Sequence, residues 1–215
     1  MSSITCRGSI KSVSGDQPVP SSQDLEDVRM AMRQIARQAE RAGRVIKSVH
    51  DFVRRRDQAR EPVPAQQLIE AIWPLVNLQA RKLGVSVRTS VEPDLPPALC
   101  DRTMVEQVLL NLARNAMQAM DDPTITPRVL DIRVRRAASK GHSGWLEFSV
   151  ADGGSGIPEE VAKKLFTPFF TTRPEGMGLG LSMCRTVVEQ HGGYFGFAPN
   201  EPRGTVFTFT LPVKI

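Results

Sequence analysis

Val105-Glu106-Gln107-Val108-Leu109-Leu110-Asn111-Leu112-Ala113-Arg114-Asn115-Ala116 decides how this chain of 215 residues folds. Val105, Val108, Leu109, Leu112, Ala116 and Ala119 share one face of a helix over about 102–120, and that face needs an apolar surface to cover. Downstream the period changes to that of strands. Leu130, Ile132 and Val134 alternate with polar residues, as do Leu146, Phe148 and Val150, then Phe207, Phe209 and Leu211. Upstream, Val85, Val87 and Val91 alternate in the same way. Strands of this kind keep one face wet and one covered, and the helices are the cover. The expected class is α+β, a two-layer α/β sandwich on a mainly antiparallel sheet.

Composition agrees with a packed domain. Forty per cent of residues are hydrophobic and 24% are charged, which supports a real core. No apolar run approaches the roughly 18 residues that span a bilayer, and the N-terminus lacks a signal peptide's apolar stretch. Cys6, Cys100 and Cys184 are odd in number and widely spaced, which fits a reducing cytoplasm and excludes a disulfide framework or a cysteine-rich zinc site. The expected location is therefore cytoplasmic. A net charge of +5 permits a phosphate-bearing partner without requiring one.

Working toward the N-terminus, a further helical stretch covers roughly 65–83, with Pro74 expected to kink or split it. Glu61-Pro62-Val63-Pro64 reads as the end of an earlier helix and as a domain boundary. That earlier helix opens near Ser22 or Asp24 and carries Leu25, Val28, Met32, Ile35, Ala39, Ala42, Ile46, Val49 and Val53 at alternating spacings of 3 and 4. A heptad seam over about 24–60 cannot bury itself, so a multi-helix bundle is expected, most simply a homodimer. From Asp24 to Arg60 ten Lys/Arg face six Asp/Glu, including Arg54-Arg55-Arg56. The run reads as a solvated bundle face or a contact for an acidic protein. Nucleic acid is not expected, because stacking aromatics are missing there.

Three features carry chemistry. Asn111 and Asn115 are four apart, share one helical face, and sit at the edge of the apolar stripe. Asn is a poor helix former, so the pair either serves as oxygen ligands for a hard cation such as Mg²⁺, or faces solvent, or bonds amide to amide. Glycine is uneven: ten of sixteen fall between 153 and 204. Asp152-Gly153-Gly154-Ser155-Gly156 follows a strand directly. Its carboxylate either accepts from a ligand's exocyclic amine or caps the helix starting near Pro158. Gly176-Met177-Gly178-Leu179-Gly180 opens a helix over Leu181 to Gln190, where free backbone N–H groups suit an anion. It is neither a Walker loop nor a Rossmann fingerprint.

In chain order these features resemble the boxes of sensor histidine kinases. Glu106 to Ala116 resembles the N box and Asp152 to Gly156 the G1 box. Leu165-Phe166-Thr167-Pro168-Phe169-Phe170-Thr171-Thr172-Arg173 resembles the F box. Gly176 to Leu181 looks like the G2 box, and Gly204 to Pro212 is similar to the family's last strand. The motif wording is closest to the nitrogen- and oxygen-sensing type. The resemblance implies a Bergerat-type ATP-binding fold over 62–215. It also implies a partial dimerisation and phosphotransfer hairpin over 1–61, whose second helix spans about 24–60. The implied cofactors are ATP and Mg²⁺. Asn111 and Asn115 would hold the metal and the phosphates, and Asp152 would accept the adenine N6 proton. Gly154 and Gly156 would shape the adenine wall, and Gly178 and Gly180 would set N–H groups against the phosphates. Phe166, Phe169 and Phe170 would hinge and pack a lid, with Phe170 and Thr172 among the nucleotide-binding residues. Arg173 is the expected catalytic residue, its guanidinium paired with phosphate oxygens.

Two departures stand out. Where many members carry a phosphate-contacting lysine, three residues after Asn115, this chain has Gln118. The second concerns the phosphoacceptor: members phosphorylate a histidine on the first bundle helix, and none of His50, His142 or His191 fits. His191 reads as structural and His142 lies in a polar loop. His50 precedes Asp51 but sits on what aligns as the second helix, as a surface residue. The chain is thus expected to be a piece of a longer kinase that binds Mg–ATP without phosphorylating itself. Its implied partners are the receiver domain of a response regulator and a second copy of the chain. A kinase-like scaffold without ATP chemistry would show degraded boxes, and these are intact. A gyrase, chaperone or mismatch-repair relative, or an anti-sigma serine kinase, fits the Phe-Phe-Thr-Thr run and the basic heptad helix less well.

Overall fold

The computed structural model of this chain describes residues 23, 25–36, 38–39, 43, 60–137, 144–173 and 176–214. It separates into two compact units, Met1–Lys47 and Ser48–Ile215. In the first, a helix (α1) runs over 25–36, close to the expected start. Leu25, Val28, Met32 and Ile35 of the seam are 55–68% exposed. The rest of the seam beyond Ala39 lies outside the described residues, as does Arg54-Arg55-Arg56.

The second unit is built on α3 (Arg102–Ala119), the helix of the opening motif. Asp101 caps it, its Oδ1 accepting from the Met104 N–H at 3.1 Å. Met104, Val105, Val108, Leu109, Leu112, Ala113, Ala116 and Met117 are buried, so the stripe is wider than the alternating residues alone suggest. It covers a five-stranded sheet in the order β2-β4-β5-β7-β6. These strands are β2 (Ser86–Val91), β4 (Val129–Arg136), β5 (Trp145–Ala151), β6 (Phe195–Pro199) and β7 (Thr205–Pro212). Only β2 and β4 pair in parallel; the other ladders are antiparallel. Ile132, Val150 and Phe207 fall in one row across three strands, and Val134, Phe148 and Phe209 in the next. Phe148 and Phe209 stack at 4.8 Å between centroids at the centre of the core. Burying an aromatic pair of this kind contributes more than its area alone, by about 0.5–1.5 kcal/mol.

Two further helices complete the covering layer. Helix α5 (Gly180–Gln190) buries Cys184, Val187 and Val188. Helix α2 (Ala65–Leu83) buries Leu68, Ile69, Ile72, Val76 and Ala80. Pro74 lies inside α2 without splitting it. Its position is exposed, so the lost N–H bond and the carbonyl it displaces both belong to the wet side of the helix. The four-residue α4 (Glu159–Ala162) follows β5.

Elsewhere the structure departs from the pattern reading. Glu61–Val63, expected as the end of a helix and a domain boundary, is a strand (β1) paired antiparallel with β3 (Ala98–Cys100). Strand β6 was hidden by its sequence, Phe195-Gly196-Phe197-Ala198-Pro199, whose Gly and Pro read as turn residues. No helix among the described residues is long and apolar enough to cross a membrane.

Candidate functional site

The covering helices α3 and α5 and the loop after β5 converge where the three motifs meet. Asn111 and Asn115 are partly buried on α3, one turn apart. Asn111 makes a side-chain contact with the Cys184 thiol of α5, and an added Cβ on Gly180 would come within 4.0 Å of the Asn111 amide carbon. The start of α5 therefore stands opposite the asparagine face. No side chain caps α5, and its first backbone bond comes from the Met183 N–H to the Leu179 carbonyl. The N–H groups of Gly180, Leu181 and Ser182 thus precede the helical ladder, as at any helix start, and suit an anion.

Asp152 is 2% exposed. Its Oδ1 accepts from the N–H of Gly154 at 2.8 Å and from the N–H of Thr205 at 3.3 Å. Its backbone bonds to Thr205, and the Asn200 amide donates to its carbonyl at 2.8 Å. Among the described residues no hydrogen bond reaches Oδ2, which is the oxygen left to a ligand. Burial raises the carboxyl pKa, opposed by the two N–H groups and by the Arg173 charge. The alternative role as a helix cap fails: Pro158 is the N-cap of α4, and no side chain caps that helix. Gly154 is packed against the end of α3, where an added Cβ would lie 2.7 Å from the Ala119 carbonyl oxygen. A larger residue would push the carboxylate loop off the asparagine helix.

The F-box segment is less uniform than expected. Phe166 packs edge-on against Phe195 and Phe197, at 5.5 and 5.9 Å, with the Arg185 guanidinium 5.4 Å from its ring centre. Phe170 is partly buried, while Thr172 is exposed. Phe169 does not pack: it is 67% exposed at φ 67°, and its N–H donates to the Gly178 carbonyl at 2.9 Å. That pairing explains Gly178, whose own φ is 66° and whose Cβ position is filled by the Phe169 and Phe170 backbone. Gly178 is thus required by the F-box backbone, whereas a Cβ on Gly180 would meet only the Asn111 amide carbon, at 4.0 Å. Gly156 shapes the turn after Asp152 at φ 77°.

Arg173 leaves this segment and reaches α3. Its Nη1 donates to Gln118 Oε1 and its Nη2 to the Asn115 carbonyl at 3.4 Å. Burial is the main influence lowering its pKa, aided by Arg114 and opposed by Asp152. An arginine keeps its proton regardless.

Of the histidines, His50 and His142 lie outside the described residues. His191 is buried at the end of α5. Its Nε2 accepts from the Asp101 N–H at 2.9 Å, and Nδ1 lies 2.7 Å from the Val187 carbonyl. Nδ1 therefore carries the proton, and the neutral ring ties the ends of α3 and α5 together. Burial lowers its pKa. The thiols of Cys100 and Cys184 are pushed up to about 12 by burial, so neither is a nucleophile at neutral pH.

Sequence reading missed Thr205 and Asn200, which fix Asp152 from the β6–β7 hairpin, and the role of Gln118. A cleft of about 400 Å³ opens between the Gly156 turn and that hairpin, lined by Ile157, Phe197, Pro199 and Arg203 among others. It shares Gly156 and Thr205 with the site but includes none of Asp152, Asn111 or Asn115. Among the described residues no group of three His, Cys, Asp or Glu side chains could hold a metal. A metal at this site would depend on amide oxygens and on the ligand's own phosphates.

The family model described as histidine kinase-, DNA gyrase B- and HSP90-like ATPase matches residues 100–215. The C4-dicarboxylate transport sensor protein DctS of Rhodobacter capsulatus is 38% identical over 198 residues, covering 92% of this chain and 29% of that protein. The sensor protein FixL of Bradyrhizobium diazoefficiens is 38% identical over 185 residues, covering 86% of this chain and 35% of that protein. The chain thus spans about a third of the length of the curated relatives it matches. The solved catalytic domain of histidine kinase ThkA superposes with a TM-score of 0.63 at 30% identity, covering 73% of this chain and 97% of that one. A structure of ThkA in complex with the response regulator protein TrrA gives 0.68 at 26% identity, over 91% of this chain and 53% of that one.

Proposed function

We propose the chemistry of this site from the premise that the chain belongs to the histidine kinase-, DNA gyrase B- and HSP90-like ATPase family, and within it to the sensor histidine kinases. It is the ATP-binding catalytic core of a two-component sensor kinase. The residue roles follow from the local chemistry. Asp152 accepts the adenine N6 hydrogen through Oδ2, because Oδ1 is already held by two backbone N–H groups. Gly154 and Gly156 set the adenine wall. Asn111 and Asn115 offer amide oxygens, and the first turn of α5 beyond Gly178 and Gly180 offers N–H groups to the phosphates. Phe170 and Thr172 border the nucleotide from the F-box side, and Arg173 pairs with phosphate oxygens. Mg²⁺ held by Asn111 and Asn115 would neutralise phosphate charge, which phosphoryl transfer asks of a site more than covalent help.

The observation that carries this reading is the half-engaged, buried Asp152 carboxylate beside the asparagine helix. The γ-phosphate is transferred to a histidine that is not evident in this chain. The protein acts in the cytoplasm, dimerises through the heptad helix of a hairpin spanning 1–61, and passes its phosphate to a response regulator. The ThkA–TrrA complex and the exposed α1 seam support those partners. Calorimetric titration with Mg–ATP tests the nucleotide site: binding that weakens at least about tenfold in Asp152→Ala is expected, and an Asp152→Ala variant with full affinity would refute it. Incubation with γ-labelled ATP is expected to leave no acid-labile label on this chain.

A further inference from the structure

Gln118 is a polar residue of α3 that meets the F-box segment through Arg173. It follows Asn115 by three positions, so on α3 it lies on the same side, one turn nearer the C-terminus. Its own side chain is exposed, yet its Oε1 accepts from Arg173, a residue 55 positions on. Arg173 is fixed at both ends. Its backbone N–H is held by Thr171 Oγ1 at 3.1 Å, and the same hydroxyl donates to its carbonyl at 3.2 Å. At the tip, Gln118 Oε1 and the Asn115 carbonyl take one hydrogen bond from each terminal nitrogen.

The choice of partner matters chemically. A guanidinium has five N–H donors in one plane and a charge it cannot shed. A neutral amide oxygen orients that plane and leaves the full charge available to an anion. A glutamate at 118 would orient it and cancel the charge. A lysine at 118 would place a cation on the helix itself and repel Arg173. Glutamine is the residue type that aligns the arginine without competing with an anion for it.

We infer that Gln118 is a positioning residue, which aligns the Arg173 guanidinium from α3 so that the lid side of the site delivers the cation to the ATP phosphates. This rests on the ATP site proposed above. In this arrangement Gln118 touches no nucleotide atom. It acts through Arg173, and its effect grows with the number of phosphates on the ligand.

The test compares adenosine, Mg–ADP and Mg–ATP by calorimetry on the full chain. Gln118→Ala is expected to weaken ATP about threefold to tenfold while adenosine stays within about twofold, as for loss of one charge-assisted contact. Gln118→Glu is expected to weaken ATP more than Gln118→Ala, because it adds an opposing charge. Arg173→Gln is expected to lose about tenfold or more for ATP. Adding Gln118→Lys to Arg173→Gln restores most of that loss, since the cation then comes from the helix. An unchanged ratio of ATP to adenosine affinity in Gln118→Ala overturns the inference, as does a double variant no better than Arg173→Gln alone. Should the wild type bind none of the three ligands, the ATP-site reading falls and takes this one with it. Should the wild type bind ATP and Asp152→Ala lose adenosine while Gln118→Ala changes nothing, only the positioning role falls.

Discussion

The two ends of the proposed nucleotide site are held in different ways. At the adenine end Asp152 is buried, and three separate pieces of chain fix it: Gly154 from its own loop, Thr205 from β7, and Asn200 from the turn before β7. At the phosphate end the contacts are local, exposed or only part-buried: Phe169 to Gly178, Thr171 to Arg173, and the Arg173 fork on α3. An over-determined buried acceptor presents the same geometry to every ligand. A few exposed contacts can rearrange, as a lid must when it admits and releases phosphates. The division predicts that damage at the adenine end is independent of phosphate number, whereas damage at the other end scales with it.

The largest effect should come from Asp152→Ala. Losing a hydrogen bond to a charged group costs about 1.5–3 kcal/mol, so adenosine, ADP and ATP should each weaken by about 10- to 150-fold. A loss confined to ATP in a titration series would merge the two ends into one. Next come the glycines. Gly154→Ala drives a Cβ into the Ala119 carbonyl, and Gly178→Ala forces an L-residue to φ 66° against the Phe169 backbone. Strain of this kind costs about 1–3 kcal/mol at each position. In Gly154→Ala it should appear as a lower melting temperature together with weaker adenosine binding. In Gly178→Ala it should appear mainly as weaker ATP binding, because the F-box segment holds little of the core. Calorimetric melts and titrations on both variants would expose an exchange of these two signatures.

The same division explains what the sequence made legible. The α3 stripe and strands β4, β5 and β7 could be read because a half-buried element must repeat its apolar residues at its own period. Asn111, Asn115 and Asp152 stood out as candidates because polar residues at the edge of such patterns have no packing purpose evident in the sequence. What could not be read depends on contacts between distant segments. Thr205 looks like one more strand residue until its N–H is seen on Asp152. Gln118 looks like a missing lysine until Arg173 is seen to reach it. Phe169 was expected to pack, but its pairing with Gly178 turns the ring outward. Pro74 was expected to kink or split α2; the helix runs unsplit through it, at an exposed position.

His191 provides a control away from both ends. Burial lowers its pKa in the fold, so the unfolded chain binds its proton first as pH falls. Stability should therefore be complete above the ordinary histidine value of about 6.5 and decline below it, at no more than about 1.4 kcal/mol per pH unit for one proton. Thermal melts of His191→Gln, compared with wild type from pH 8 to 5.5, should show lower stability at pH 8 and a flatter profile. An equal slope in both would mean that the ring is not the group titrating.

The smallest effect tests whether the two ends communicate at all. Burial raises the Asp152 pKa, while the Arg173 charge favours its ionised form and holds the rise in check. The carboxylate is the stronger acceptor when ionised, so adenosine affinity should fall as pH drops through the raised value. Arg173→Gln removes the restraining charge, and the fall should then begin at a higher pH although adenosine carries no phosphate for Arg173 to touch. A pH series of adenosine titrations on the two proteins reads this shift directly. Coincident profiles would mean that the guanidinium is screened from Asp152 and that the lid end acts on phosphates alone. Displaced profiles would mean that wherever the lid carries Arg173, it also tunes the adenine acceptor.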